Sequence, residues 1–139
     1  MIYHARIYKR DPNTFQQLTD SLLRVPRFTS NADWRVSRLL AFIDEQNGRI
    51  GSKLADVCHT LDLGVTASHA SRLFSQALGI GIREYSKLRR LHTAAARLQS
   101  TSMSVKEIAA NLGYQTPADF HRQFKLFFRV TPVAFRKVS

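Results

Sequence analysis

From residue 33 onward the apolar positions of this chain recur every three or four residues, the spacing that gathers them on one side of an α-helix. Val36, Leu39, Leu40 and Ile43 form the first such stripe, with Asp33 as a capping residue ahead of it and Gly48 as a stop behind it. A second helix is predicted over 53–62, with Leu54, Val57, Cys58 and Leu61 inward. A third follows a Thr66 cap and runs to Leu78 before Gly79. The longest predicted helix spans 82–99, and its stripe is Ile82, Tyr85, Leu88, Leu91, His92, Ala95 and Leu98. Ser104-Val105-Lys106-Glu107 matches a capping box, in which Ser and Glu satisfy free backbone N–H groups reciprocally. It opens a helix ending near Leu112, with Gly113 as its stop. Thr116-Pro117-Ala118-Asp119 is a further helix start, with a Thr cap, Pro at the first helical position and an acid in the first turn; Thr131-Pro132 repeats it. No stretch alternates with period two, so the expected class is all-α.

Residues 1–31 read differently, as an extension or linker. Tyr3 and Tyr8 mix with Arg6, Lys9 and Arg10, a basic arm able to follow a minor groove. Phe15, Leu18, Leu22 and Leu23 recur at helical spacing and predict a short amphipathic helix, which Pro26 ends; 24–31 is a linker. This helix either covers the folded part, pairs with a partner, or stays a half-ordered tail.

Two segments about fifty residues apart carry one pattern. Leu63-Gly64-Val65 precedes Ala70-Ser71-Arg72-Leu73-Phe74, and Leu112-Gly113-Tyr114 precedes Phe120-His121-Arg122-Gln123-Phe124. In each, a turn leads into a helix that projects an arginine two residues before a core phenylalanine. This is the pattern of a duplicated helix-turn-helix. The predicted organisation of 32–139 is a homeodomain-like tandem: one helix-turn-helix over 32–81, a connecting helix over 82–100, and a second helix-turn-helix over 101–139.

Charge sharpens this picture. The 139-residue chain carries a formal net charge of +11, and from Gly64 onward twelve Lys/Arg face only Glu84, Glu107 and Asp119. That surplus favours a polyanionic partner. The single cysteine, Cys58, excludes an intramolecular disulfide, which agrees with a reducing compartment. No window approaches the ~20 apolar residues of a membrane helix, and no apolar signal core follows the basic N-terminus, so the chain reads as a cytoplasmic, nucleoid-associated protein without a membrane partner.

The run Ile108-Ala109-Ala110-Asn111-Leu112-Gly113-Tyr114, then Phe120 to Lys125, Val130-Thr131-Pro132 and Phe135-Arg136, resembles the signature of the AraC/XylS family of bacterial transcription regulators. The resemblance covers about 34–137 and includes Arg72-Leu73-Phe74. It implies two helix-turn-helix subdomains joined by a long helix, sequence-specific binding to double-stranded DNA, and RNA polymerase as a candidate second partner. The chain departs from the family pattern at several points. The lead-in to Arg72 is longer by two or three residues, Ala70 replaces a common leucine, and Arg129 stands where the family usually has glycine.

Side-chain chemistry then suggests roles. In the first motif Ala70, Leu73 and Phe74 are expected inward, and Ser68, Ser71, Arg72 and Ser75 outward. In the second, Phe120, Phe124 and Phe127 or Phe128 are expected inward, and Ala118, His121, Arg122 and Lys125 outward. Arg72 and Arg122 are the candidates for bidentate contact with guanine, the alternatives being phosphate or pairing with an acid, for Arg122 with Asp119. Asp119 either accepts from cytosine or caps its helix, and capping is favoured. Ser68, Ser71, Ala118 and His121 complete the base-contact candidates, while Lys53, Ser75, Arg83, Thr116, Lys125 and Arg129 are the phosphate-contact candidates. Consecutive major-groove faces lie ~34 Å apart, and an 18-residue helix of ~27 Å is a fitting strut between two readers.

An enzyme is disfavoured. His4, His59, His69, His92 and His121 are scattered, Cys58-His59 is not a spaced ligand set, and there is neither a phosphate-cradling glycine loop nor a zincin motif. No metal or cofactor is implied. A nucleoid-architecture protein without sequence preference is the alternative reading. Thirty residues ahead of the fold are too few for an effector pocket, so the chain is either a small regulator or a fragment. It is expected to act as a monomer, with dimerisation through residues 1–30 or a missing domain as the other possibility.

Overall fold

The computed structural model describes residues 33–138. The readings made for the basic arm, the amphipathic stretch and the linker lie outside these residues. Among the described residues there are seven helices and no strand: α1 (Trp34–Glu45), α2 (Leu54–Thr60), α3 (Ala67–Leu78), α4 (Ile82–Ser100), α5 (Val105–Asn111), α6 (Pro117–Phe128) and α7 (Pro132–Val138). They group into two compact units that divide within α4, between Arg89 and Arg90.

In the first unit, Asp33 caps α1. Its carboxylate accepts from the Arg35 backbone N–H at 2.8 Å and from the Arg35 guanidinium at 3.0 and 2.8 Å. That guanidinium is the main reason the Asp33 carboxyl titrates below its ordinary range. Val36, Leu39 and Ile43 are buried along α1. The helix stops through two left-handed residues, Asn47 and Gly48, and the Gly48 N–H donates to the Ile43 carbonyl at 2.9 Å.

Helix α2 is shorter than its predicted span. Asp62 takes a left-handed φ of 54° and the Leu63 N–H turns back to the Cys58 carbonyl, so the helix closes at Thr60. Arg38 of α1 donates to the carbonyl of Leu61 at 3.0 Å and satisfies one of the carbonyls that a helix end leaves open. Helix α3 begins at Thr66, whose Oγ1 accepts from the His69 N–H at 3.1 Å, and ends at Gly79 with φ 77°.

The core of this unit is Val36, Leu39, Ile43, Val57, Cys58, Leu63, Ala70, Phe74, Leu78 and Tyr85. Tyr85 of α4 packs edge-on against Phe74, with ring centroids 5.7 Å apart. Its hydroxyl donates to Asp44 Oδ1 at 2.7 Å, and Arg89 Nε lies 3.7 Å from the same oxygen. Burial, with Asp44 as a second cause, pushes the Tyr85 phenol far above its ordinary range.

In the second unit the capping box forms as predicted: the Glu107 N–H donates to Ser104 Oγ at 3.0 Å, and the Ser104 N–H to Glu107 Oε1 at 3.4 Å. Thr116 caps α6 by accepting from the Asp119 N–H at 3.1 Å, with Pro117 next in line. Phe127 and Phe128 are both buried, together with Phe120 and Phe124. Phe124 stacks on Phe128 at 4.2 Å and meets Phe135 of α7 edge-on at 5.4 Å. The guanidinium of Arg136 donates to the carbonyls of Leu98 (3.0 Å), Thr101 (3.4 Å) and Met103 (2.5 Å), closing the C-terminal end of α4. Along α4, Ser86 and Ala94 are buried in addition to the predicted stripe, of which Ile82 and His92 are only half-buried.

Tyr85→Phe is expected to lower stability by about 1–2 kcal/mol, because Asp44 loses its donor while the ring stays in place; chemical denaturation of the two proteins measures this. The folded phenol titrates above the unfolded one. The difference between the proteins is therefore fully present below the ordinary phenol range and shrinks as pH rises through and beyond it.

Candidate nucleic-acid interface

Helices α3 and α6 are both twelve residues long and start fifty residues apart. The same interval relates their caps Thr66 and Thr116, their arginines 72 and 122, and their core rings Phe74 and Phe124. It also relates Tyr85 and Phe135, the rings that pack edge-on against them. Each helix buries one stripe on its own unit and leaves the opposite stripe to solvent.

On α3 the exposed positions include Ser68, Arg72, Ser75 and Gln76. Two predicted orientations are corrected. Ser71, expected outward, is half-buried on the flank. Leu73, expected in the core, is also only half-buried and lines a shallow surface depression with Thr66, His69, Arg72 and Gln76. A residue pitch of 100° explains both: measured from the Ala70–Phe74 stripe, positions 71 and 73 fall at its two edges. His69 and Gln76 were not singled out from sequence, although they stand one turn before and one turn after Arg72.

On α6, Ala118, His121, Arg122, Lys125 and Leu126 are exposed, as is Arg129 at its C-cap. The structure brings His121, Arg122, Lys125, Leu126 and Arg129 together around one shallow depression. Leu126 is 65% exposed. It went unnoticed in the sequence because Leu126-Phe127-Phe128 reads as one apolar run. Arg122 donates to Asp119 Oδ1 at 3.1 Å, so the pairing with that acid, given from sequence as the alternative to guanine contact, is the arrangement present. The pair is exposed, and a pair of this kind on a helix surface is worth only ~0.3–0.5 kcal/mol.

The remaining candidates lie at helix starts. Lys53 is the exposed N-cap of α2 and makes no side-chain cap bond, Arg83 is exposed in the first turn of α4, and Thr116 is engaged as the cap of α6. Arg129 has φ 65°, a left-handed conformation that glycine adopts without strain. The loop between α2 and α3 holds one residue more than the loop between α5 and α6, and two left-handed residues, Asp62 and Gly64, turn it where Gly113 alone turns the shorter one. The structural counterpart of Leu112-Gly113-Tyr114 is therefore Leu61-Asp62-Leu63 and not the predicted Leu63-Gly64-Val65, since the Leu63 and Tyr114 N–H groups make the same return bond to their helices. Among the described residues, no group of three or more His, Cys, Asp or Glu is placed to hold a metal, and no helix is long and apolar enough to cross a membrane.

Two turn-linked helix pairs, each presenting a capped helix with an outward arginine, define a tandem helix-turn-helix protein of the DNA-binding class. A family model described as a helix-turn-helix domain matches residues 61–138, and the chain belongs to the AraC/XylS family of helix-turn-helix transcription regulators. It is 39% identical over 74 residues to the probable transcription factor PqrA of Proteus vulgaris, covering 53% of this chain and 61% of that one. It is 28% identical over 101 residues to the transcriptional activator AarP of Providencia stuartii, covering 73% of each. The match to PqrA thus spans less than two thirds of that relative. Among solved structures, the C-terminal domain of AraT, a response regulator from Geobacillus stearothermophilus, superposes with a TM-score of 0.71 at 29% identity, over 79% of this chain and 89% of that one. The DNA-binding domain of AdpA, solved with a target DNA, gives a TM-score of 0.62 at 19% identity over 73% of this chain and 89% of that one, and shares the fold.

Arg129→Gly is expected to raise stability by about 1 kcal/mol, since glycine adopts the left-handed cap without strain; a rise in Tm checks it. An unchanged or lower Tm would mean that the Arg129 side chain contributes more in packing than its backbone costs.

Proposed function

We propose that this chain is a sequence-specific, double-stranded DNA-binding transcription regulator that inserts α3 and α6 into successive major-groove faces. The fifty-residue repetition of cap, arginine and aromatic core carries this reading, because it supplies two readers of the same build. Helix α4, with 19 residues, is the segment of chain that joins the two units. Arg72 and Arg122 read guanine, with Ser68, Ser71, Ala118 and His121 beside them as further base contacts. Lys53, Ser75, Arg83, Thr116, Lys125 and Arg129 hold phosphates and position the protein without reading sequence. The unit of action is a cytoplasmic monomer on an asymmetric site of about two helical turns. Relatives named as an activator and as a positive regulatory protein support RNA polymerase as a second partner.

The decisive measurement is the affinity of the chain for a site selected from random DNA against bulk random duplex at one salt concentration. A ratio of ~10³ or more is expected. A ratio below about tenfold would leave a nucleoid-architecture role, bound through charge alone. On the selected site, Arg72→Ala and Arg122→Ala should each relax base choice at a different position. Lys125→Ala should weaken all sequences evenly and reduce the salt slope by about one unit. Arginine variants that keep the full wild-type preference would overturn the assignment of reading residues.

A further inference from the structure

We propose that the two recognition helices read chemically different half-sites, and that α6 reads thymine methyl groups on either side of its guanine. The inference rests on the DNA-reading role proposed above and specifies it. Three exposed positions four residues apart run along each helix: Ser68, Arg72 and Gln76 on α3, and Ala118, Arg122 and Leu126 on α6. Eight residues of helix rise ~12 Å, the span of three to four base pairs at ~3.4 Å each. The arginine is central in both rows. On α3 both neighbours are of hydrogen-bonding type, and a glutamine amide suits the N6/N7 edge of adenine. On α6 both neighbours are apolar.

Leu126 makes the difference informative. Large apolar side chains with more than half their surface exposed are few among the described residues, and the other two, Trp34 and Val133, lie outside α3 and α6. Leu126 shares its depression with His121, Arg122, Lys125 and Arg129. A surface of cations around an exposed leucine is complementary to a ligand that is polyanionic and yet presents small apolar groups. In a major groove those groups are the C5-methyls of thymine. The register comparison adds that the swap from hydrogen-bonding to apolar occurs on both sides of the arginine, at 118 as well as 126.

The test uses the full chain and the selected site, with thymines replaced one at a time by uracil, which removes only the methyl. The position relaxed by Arg122→Ala marks the α6 half. Uracil beside that guanine is expected to weaken binding about fourfold per methyl, the value of burying one such group, while uracil in the α3 half has less than about twofold effect. Leu126→Gln should abolish the thymine-over-uracil preference at its position and shift reselected sites toward adenine there. Gln76→Leu should create a thymine preference in the α3 half. Both side chains are exposed, and circular dichroism confirms that the variants keep the fold. Uracil throughout the α6 half with no loss of affinity, on a site still preferred ~10³-fold over random DNA, overturns the methyl reading and leaves the regulator reading standing. Loss of preference for the selected site by the unmodified protein overturns both. A Leu126→Gln protein that retains the thymine preference removes Leu126 from the role.

Discussion

Each half of this molecule depends on one contact, the edge-on packing of an aromatic ring against the phenylalanine at the centre of α3 or α6. Phe74 meets Tyr85 and Phe124 meets Phe135 at nearly the same separation, 5.7 and 5.4 Å. A helix that presents one face to a ligand has only the opposite face with which to hold itself in place. Twelve residues are too few for a helix to be stable alone in water. The buried ring therefore does two jobs: it supplies the apolar area that keeps the helix folded, and it fixes the helix's rotation, which decides which side chains point outward.

The halves meet this constraint with different materials. The second builds an aromatic cluster from Phe120, Phe124, Phe127, Phe128 and Phe135. The first has Ala70 where the second has Phe120, and its aromatic pair is tied by the Tyr85 hydroxyl to Asp44 of α1. A polar tether thus works beside an apolar pair in one unit, whereas packing dominates in the other. Their outer faces differ in parallel: α3 carries no acidic residue and a row of hydrogen-bonding groups, while α6 concentrates cations around an exposed leucine.

Backbone corners set the length of each reader. Gly79 and Arg129 end α3 and α6 in the same left-handed conformation, one without strain and one with it. The arginine at that corner places a cation at the margin of the α6 surface, beside His121, Arg122 and Lys125.

Much of this was legible along the chain. Caps are local chemistry, so Asp33, Thr66, Ser104 with Glu107, and Thr116 with Pro117 were readable as helix starts, and each makes the hydrogen bond its type suggests. The inward phenylalanines and the two outward arginines followed from periodicity. What periodicity left undecided were residues at the edge of a stripe or inside an apolar run. Ser71 and Leu73 depend on a helix rotation that only the packed rings establish, and Leu126 looks like core until Phe127 and Phe128 are seen to fill that space. The partners of Asp44, Arg38 and Arg136 were equally hidden, because they lie between about 20 and 45 residues away in sequence. The sequence by itself determined the helices, their capped starts and the repetition of the capped, arginine-bearing helix, since these rest on neighbours within a turn or two. The tertiary structure decided where the free face of each of these two helices ends, at Ser71, Leu73 and Leu126, because that rotation is set by contacts between residues distant along the chain.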